Sequence, residues 1–253
     1  MRQDRHMPSA ANSETPSIDS VLDDFLADER ERLSERTFRN YADVVGLLKD
    51  YLNSYAYEDL GEFDKKRWQR AYDGGDEGAF TNLFGPDQIV PNLSMFLGYF
   101  MVRKVVAGEE LLRASGTVTR KLAKWLERRE YIDSADARIG ADAGAEAARD
   151  LPRAEKLTGL LHEVSLGGPR VASFEDLDEA DLIEDYVDIA RVEEGAIWFG
   201  PGWASASEMD ETIGPIEVPR EASDLAQVGW NLYAELARVD GRWYLIGVGS
   251  IYP

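Results

Sequence analysis

Apolar residues recur at intervals of three and four along the first half of the chain, which is typical of one face of a helix. Ser17 precedes one such series and Ser34 precedes a longer one, and serine commonly caps the start of a helix. The two series are Ile18, Val21, Leu22, Phe25 and Leu26, then Phe38, Tyr41, Val45, Leu48, Leu52 and Tyr55. The pattern predicts these two helices, a short helix over 63–72, and further helices over about 93–106 and 117–130.

The last of these helices has two chemically opposed faces. At 100° per residue, one face is apolar and the other is basic. The apolar face is Val118, Leu122, Trp125 and Leu126, and the basic face is Arg120, Lys121, Lys124 and Arg128. Residues 101–129 contain eight Lys and Arg against three Glu, a local charge of +5 in a chain with a net charge of −20.

The second half of the chain changes from helical to alternating periodicity. Strands are predicted over 186–192 and 196–199, around the turn residues Glu193-Glu194-Gly195, and over 213–218. A short helix over 220–228 follows, and then two strands flank Asp240-Gly241, a strong hairpin signal. The order β-β-β-α-β-β predicts a small five-stranded barrel, either OB-type or SH3-like.

An Ala-, Asp- and Gly-rich segment separates the two halves. Residues 133–151 contain few large apolar side chains and are predicted to be a linker, followed by a helix that begins at Pro152. The predicted α+β organisation is a disordered tail over 1–16, an all-α four-helix domain over 17–135, a linker and short helix over 136–184, and the barrel over 185–253. Limited proteolysis is expected to cut first in the linker.

The pattern FLxxxxxxLSxxTxxxYxxxxxxLxxYL, from Phe25 to Leu52, resembles the start of the N-terminal core-binding (SAM-like) domain of tyrosine recombinases, the phage integrases. The apolar segment 96–106 and the segment from Ser115 to Leu126 match the later helices of that domain, so the resemblance covers 17–135. In that family the domain is a four-helix clamp whose positive helix faces contact DNA phosphates. The resemblance therefore implies a DNA-binding role for the helical half.

The catalytic part of that family has no counterpart here. The family requires a His-x-x-Arg motif, but His162 is followed by Glu163-Val164-Ser165, and too few residues remain for a catalytic domain. Tyr252 has no recognisable activating partner in the sequence. With no cysteine and only two histidines, the chain offers no thiolate chemistry and no His-based triad or metal site. The prediction is a protein that is not an enzyme, with no catalytic residues, metal or cofactor.

The remaining composition bears on partners and location. Asp and Glu total 48 against 28 Lys and Arg. This acidic, lysine-poor composition is typical of proteins from organisms with a salt-filled cytoplasm, where salt screens the repulsion between acidic residues. The acidic cluster over 175–185 lacks the spacing of an oxygen-ligand metal loop and is predicted to be a solvated surface. No apolar run is long enough to span a membrane, so a cytoplasmic protein without membrane contact is expected.

Two functional hypotheses follow. The first is a non-catalytic DNA-binding protein whose phosphate contacts come from Arg103, Lys104, Arg120, Lys121, Lys124 and Arg128. The second is a protein-interaction or scaffold module of a halophile-type cytoplasm, with no nucleic-acid role, that binds a partner through the C-terminal barrel. Among the aromatic residues of the strand region, which could stack on bases if nucleic acid is bound, Trp203 is the one most expected to be exposed.

Overall fold

A computed structural model describes residues 15–168, 181–202 and 212–253. The helices are α1 (Ile18–Arg30), α2 (Glu35–Tyr55), α3 (Glu62–Asp73), α4 (Ala79–Leu83), α5 (Ile89–Met95), α6 (Met101–Arg103), α7 (Glu109–Arg128), α8 (Ser134–Leu166) and α9 (Arg220–Leu225). The strands are β1 (Leu182–Glu193), β2 (Ala196–Pro201), β3 (Ile213–Glu217), β4 (Asn231–Val239) and β5 (Arg242–Tyr252). The predicted α+β class is confirmed. Residues 1–14 of the predicted tail, and Trp203, lie outside the described residues.

Local sequence signals account for the ends of the first helices. The hydroxyl oxygens of Ser17 and Ser34 accept hydrogen bonds from the backbone N–H groups of Ser20 and Thr37, so both predicted caps are confirmed. The predicted helix over 93–106 begins earlier, at Ile89. It runs through one π-helical turn, Phe96–Phe100, into α6.

The five strands form one antiparallel sheet in the order β3-β2-β1-β4-β5. The sheet is not closed into the predicted barrel, because β3 and β5 are its two edges. Strand β3 has only five residues and contains Pro215, which has no N–H to donate and is therefore typical of an edge strand. The turn between β4 and β5 is the predicted one, with positive φ angles of 51° at Asp240 and 78° at Gly241.

The segment predicted to be a linker is the first half of α8, a helix of 33 residues. This helix contributes to both hydrophobic cores, with Ala147 and Leu151 in the helical core and Ala154, Leu157 and Leu161 in the core beneath the sheet. It continues through Pro152, so the prediction that a helix begins at this proline is wrong. Of the predicted linker and short helix over 136–184, residues 169–180 lie outside the described residues. The division into separately folding domains stays a prediction.

Close packing against α7 explains why α8 needs few large apolar residues. A Cβ atom on Gly116 of α7 would lie 2.2 Å from the backbone nitrogen of Ala148, and one on Gly144 would lie 2.5 Å from that of Arg120. The two helix backbones are therefore in direct contact where they cross. This contact requires small residues at helical spacing on α8. The same small residues led to the prediction of a linker.

Candidate nucleic-acid interface

Helix α7 presents the predicted basic residues to solvent by burying its opposite side. Val118, Leu122, Trp125 and Leu126 are all at most 3% exposed, as the periodicity predicted. On the other side, the side chains of Arg120, Lys121, Lys124 and Arg128 are all exposed, and we call these four residues the basic face. The basic face is thus held on a rigid, well-buried helix.

The C-terminal end of α7 is fixed to α1 by Asp28. One carboxylate oxygen of Asp28 accepts hydrogen bonds from Trp125 Nε1 at 2.8 Å and from Arg129 Nη2 at 2.6 Å. The hydrogen bond from Arg129, and next that from Trp125, hold the pKa of Asp28 below its usual value. Arg129 is therefore engaged in holding the helix, in contrast to the basic face beside it.

The basic face lines one side of an open groove of about 480 Å³ between α1, α7 and α8. We call this the basic groove. Its lining residues are Glu29, Arg32, Thr117, Arg120, Lys121, Lys124, Arg128, Ala145 and Ala148. Five cationic side chains therefore surround one carboxylate, that of Glu29, which is buried and paired with Arg32. Because Ala145 and Ala148 are short, α8 borders the groove without filling it.

The four residues of the basic face have no carboxylate partner among the residues that the structure describes. Arg128 Nη1 donates only to the backbone carbonyl of Lys124, at 3.1 Å. Some other cations on the helices are neutralised by carboxylates. Arg36 pairs with Glu110, and Lys49 pairs with Asp19 and Asp23. In a chain with 48 acidic residues, four adjacent unpaired cations mark this surface as a candidate anion site.

The other two predicted residues, Arg103 and Lys104, lie outside the basic groove. Arg103 Nη1 donates to the phenol oxygens of Tyr186 at 2.9 Å and Tyr252 at 3.2 Å, and so joins the end of α6 to the sheet. These bonds, with that to Tyr252 first, raise the pKa of Arg103 above its usual value. Lys104 is exposed at the end of α6. The six predicted residues thus form a group of four and a separate pair.

Two further cations near the basic face were missed by the sequence analysis. Arg113 is exposed and precedes Arg120 by seven residues, or two helical turns, so helical spacing places it on the same side of α7. The seven-residue spacing could therefore have identified Arg113 from the sequence. Arg32, after the end of α1, reaches the groove only through the packing of α1 against α7, and no local pattern in the sequence identifies it.

Among the described residues, the lining of the groove supplies positive charge and a single side-chain hydroxyl. The one hydroxyl in its lining, that of Thr117, donates to the carbonyl of Arg113 at 2.9 Å. Within 15–168, 181–202 and 212–253, no three His, Asp or Glu residues are grouped so that they could hold a metal ion. Much of the acidic cluster over 175–185 lies outside those ranges. Among the described helices, none is long and apolar enough to cross a membrane.

Comparison of the chain with family models, curated proteins and solved structures found no match in any of the three. The groove must therefore be interpreted from its own charges and geometry.

Proposed function

We propose that this protein binds DNA without cleaving it, through contacts between the basic groove and backbone phosphates. The observation that carries the proposal is the absence of described ion-pair partners around Arg120, Lys121, Lys124 and Arg128. Exposed cations that already pair with carboxylates would have to break those pairs to bind phosphate. The four residues of the basic face can bind phosphate without first breaking an ion pair with a described carboxylate.

The expected binding is electrostatic and largely independent of base sequence. Each phosphate neutralised on duplex DNA changes the slope of log affinity against log salt by about −0.9, so four contacts give a slope of about −3.6. A non-specific dissociation constant of about 10⁻⁴–10⁻⁶ M is typical at physiological salt. The acidic remainder of the surface repels DNA, so binding requires that the groove itself face the phosphates.

The resemblance to the integrase core-binding domain supports the same proposal. In that family, positive helix faces contact phosphates, and α7 carries the matched segment from Ser115 to Leu126, although the helix begins earlier, at Glu109. We further propose an OB-like origin for the sheet. This proposal is supported by the helix between β3 and β4 and by the ion pair at 2.5 Å between Arg242 and Glu217, which connects the end of β3 to the start of β5 while the two strands remain unpaired.

The proposal is tested by fluorescence polarisation with a labelled 20-base-pair duplex across low to high salt. The test variant changes Arg120, Lys121, Lys124 and Arg128 to Gln. The control variant changes four other exposed cations to Gln: Lys66, Arg67, Arg70 and Arg220. Both variants change the net charge from −20 to −24. The test variant should lose binding while the control retains it. Equal losses in both would show a bulk charge effect and contradict a specific groove.

One observation favours the alternative role in protein interaction. Tyr186, Tyr233 and Tyr252 are partly exposed and adjacent on one face of the sheet, with ring centroids 5.7 Å and 6.4 Å apart. Tyrosine is enriched in protein interfaces, and the neighbouring Glu184 and Glu235 favour a basic partner. If the wild-type protein has no affinity for DNA or RNA at any salt concentration, this face becomes the leading candidate.

A further inference from the structure

Three aromatic rings form a continuous stack at the far end of the helical part. Tyr57, in the turn after α2, lies parallel to Trp68 of α3, with ring centroids 4.0 Å apart and an interplanar angle of 3°. Tyr72, one helical turn after Trp68, stacks on the indole at 5.3 Å and 23°. Trp68 itself is only 5% exposed. The buried indole therefore fixes the orientation of two tyrosines that reach solvent.

These rings line a cavity of about 630 Å³, which we call the aromatic pocket. Its lining is Asp50, Asn53, Ser54, Tyr57, Trp68, Tyr72, Glu77 and Gly78. Asn53 is held by hydrogen bonds to the backbone N–H of Thr81 at 3.0 Å and to its hydroxyl at 3.2 Å. The pocket therefore has a fixed wall, and its volume lies in the range of small-molecule sites.

The charge of the aromatic pocket is negative and unbalanced by the described residues. Asp50 and Glu77 are exposed, and no cation of the described chain lies within ion-pair distance of either carboxylate. A phosphate or a nucleotide would be repelled here. A cation would gain from the carboxylates and also from the negative faces of the tyrosine rings.

The stack already holds a cation of this chain at one end. The ammonium of Lys65 lies 5.9 Å from the centroid of the Tyr57 ring, within the range of a cation–π interaction, and has no carboxylate partner among the described residues. At the other end, Tyr72 is 49% exposed. The end with Tyr72 is thus the open one.

We propose that the aromatic pocket binds an organic cation, with a quaternary ammonium or guanidinium group against Tyr72 and near Asp50 and Glu77. Such groups are weakly hydrated and spread their charge, so they lose little on leaving water and interact well with aromatic faces. The cation can come from a free small molecule or from an arginine or methylated lysine of another protein. This inference is independent of DNA binding.

The test uses the full chain labelled with ¹⁵N, in which the six tryptophans give separate indole N–H signals. Comparison with Trp68→Phe assigns the Trp68 signal. Titration with tetramethylammonium chloride should shift that signal saturably, while KCl at the same ionic strength should not. A second arm, with N-acetyl-arginine amide, distinguishes guanidinium recognition from quaternary ammonium recognition. Saturable binding of either probe supports the proposal.

Variants of the pocket locate the bound cation. Tyr72→Leu should weaken binding at least about fivefold, because it removes the open ring face but keeps a good helix-forming residue. Asp50→Asn and Glu77→Gln should each weaken it about two- to threefold. Asp142→Asn, an exposed carboxylate on α8, is the matched control and should have no effect.

Two results would overturn the proposal. An identical response to KCl would show a general salt effect, and unchanged affinity in both Tyr72→Leu and the carboxylate variants would place binding elsewhere. The Asp50 and Glu77 variants keep the test valid if Tyr72→Leu fails to fold, since both side chains are exposed and their loss should not disturb the core.

Discussion

Replacement of Gly116 by Ala should strongly destabilise the protein, because α7 and α8 touch through their backbones at this residue. The added methyl carbon would lie 2.2 Å from the nitrogen and 2.7 Å from the Cα of Ala148, whereas ordinary contacts are 3.4–4 Å. The helices must separate by about 1 Å or more, since backbone atoms cannot rotate away. Overpacking of this kind lowers the free energy of unfolding by about 2–4 kcal/mol.

The magnitude can be measured by thermal unfolding followed by circular dichroism. For a chain of this length, each kcal/mol moves the melting temperature by about 2–4 °C, so Gly116→Ala should melt about 5–15 °C lower. Gly159→Ala is the matched control, because Gly159 is exposed in α8 and a Cβ there meets nothing within 4 Å. Gly159→Ala should increase the free energy of unfolding by about 0.5–1 kcal/mol, because alanine is the better helix former. If both variants melted above the wild type, the close helix crossing would be refuted.

Four smaller predictions follow from the same structure. Ala145→Leu should narrow the basic groove and weaken DNA binding, while the salt slope changes by less than about one, in the polarisation assay. Arg103→Met should leave DNA affinity unchanged and lower the midpoint of urea unfolding, because its donors bind two tyrosines of the sheet. Limited proteolysis should leave 134–166 intact, since that range is one helix; early cuts there would restore the linker interpretation. Burial raises the pKa of Asp150, but Arg149, Gln227 and Arg153 outweigh it and hold the pKa below the usual value. The stabilisation from Asp150 is therefore complete above about pH 4–5 and lost as pH falls through its folded-state pKa, so the stability gap between wild type and Asp150→Asn should shrink between pH 7 and pH 3.

Local signals predicted those parts of the fold that local physics determines. Serine caps and apolar periodicity located α1 and α2, and Asp240-Gly241 located the β4–β5 turn because both residues must adopt positive φ. The periodicity of α7 also placed the basic face opposite Leu122 and Trp125. In each case, the residues that specify the structure are neighbours in sequence.

The failures arose where distant residues decide the structure. The Ala- and Gly-rich start of α8 resembles a linker in isolation, and only the crossing with Gly116 shows why small residues are required there. Arg103 looked like a free cation, yet its partners are 83 and 149 residues away. The barrel was expected from strand order alone, but the short β3 with Pro215 remains a sheet edge.

The central claim is that the basic face supplies the phosphate contacts. Its most direct test is the slope of log affinity against log salt for duplex DNA, measured for the wild type and for the variant with Arg120, Lys121, Lys124 and Arg128 changed to Gln. The wild type should give a slope of about −3.6, and each single Gln variant should reduce its magnitude by about one. A slope that is the same in the wild type and in the quadruple variant, or no wild-type binding at any salt concentration, would contradict the claim.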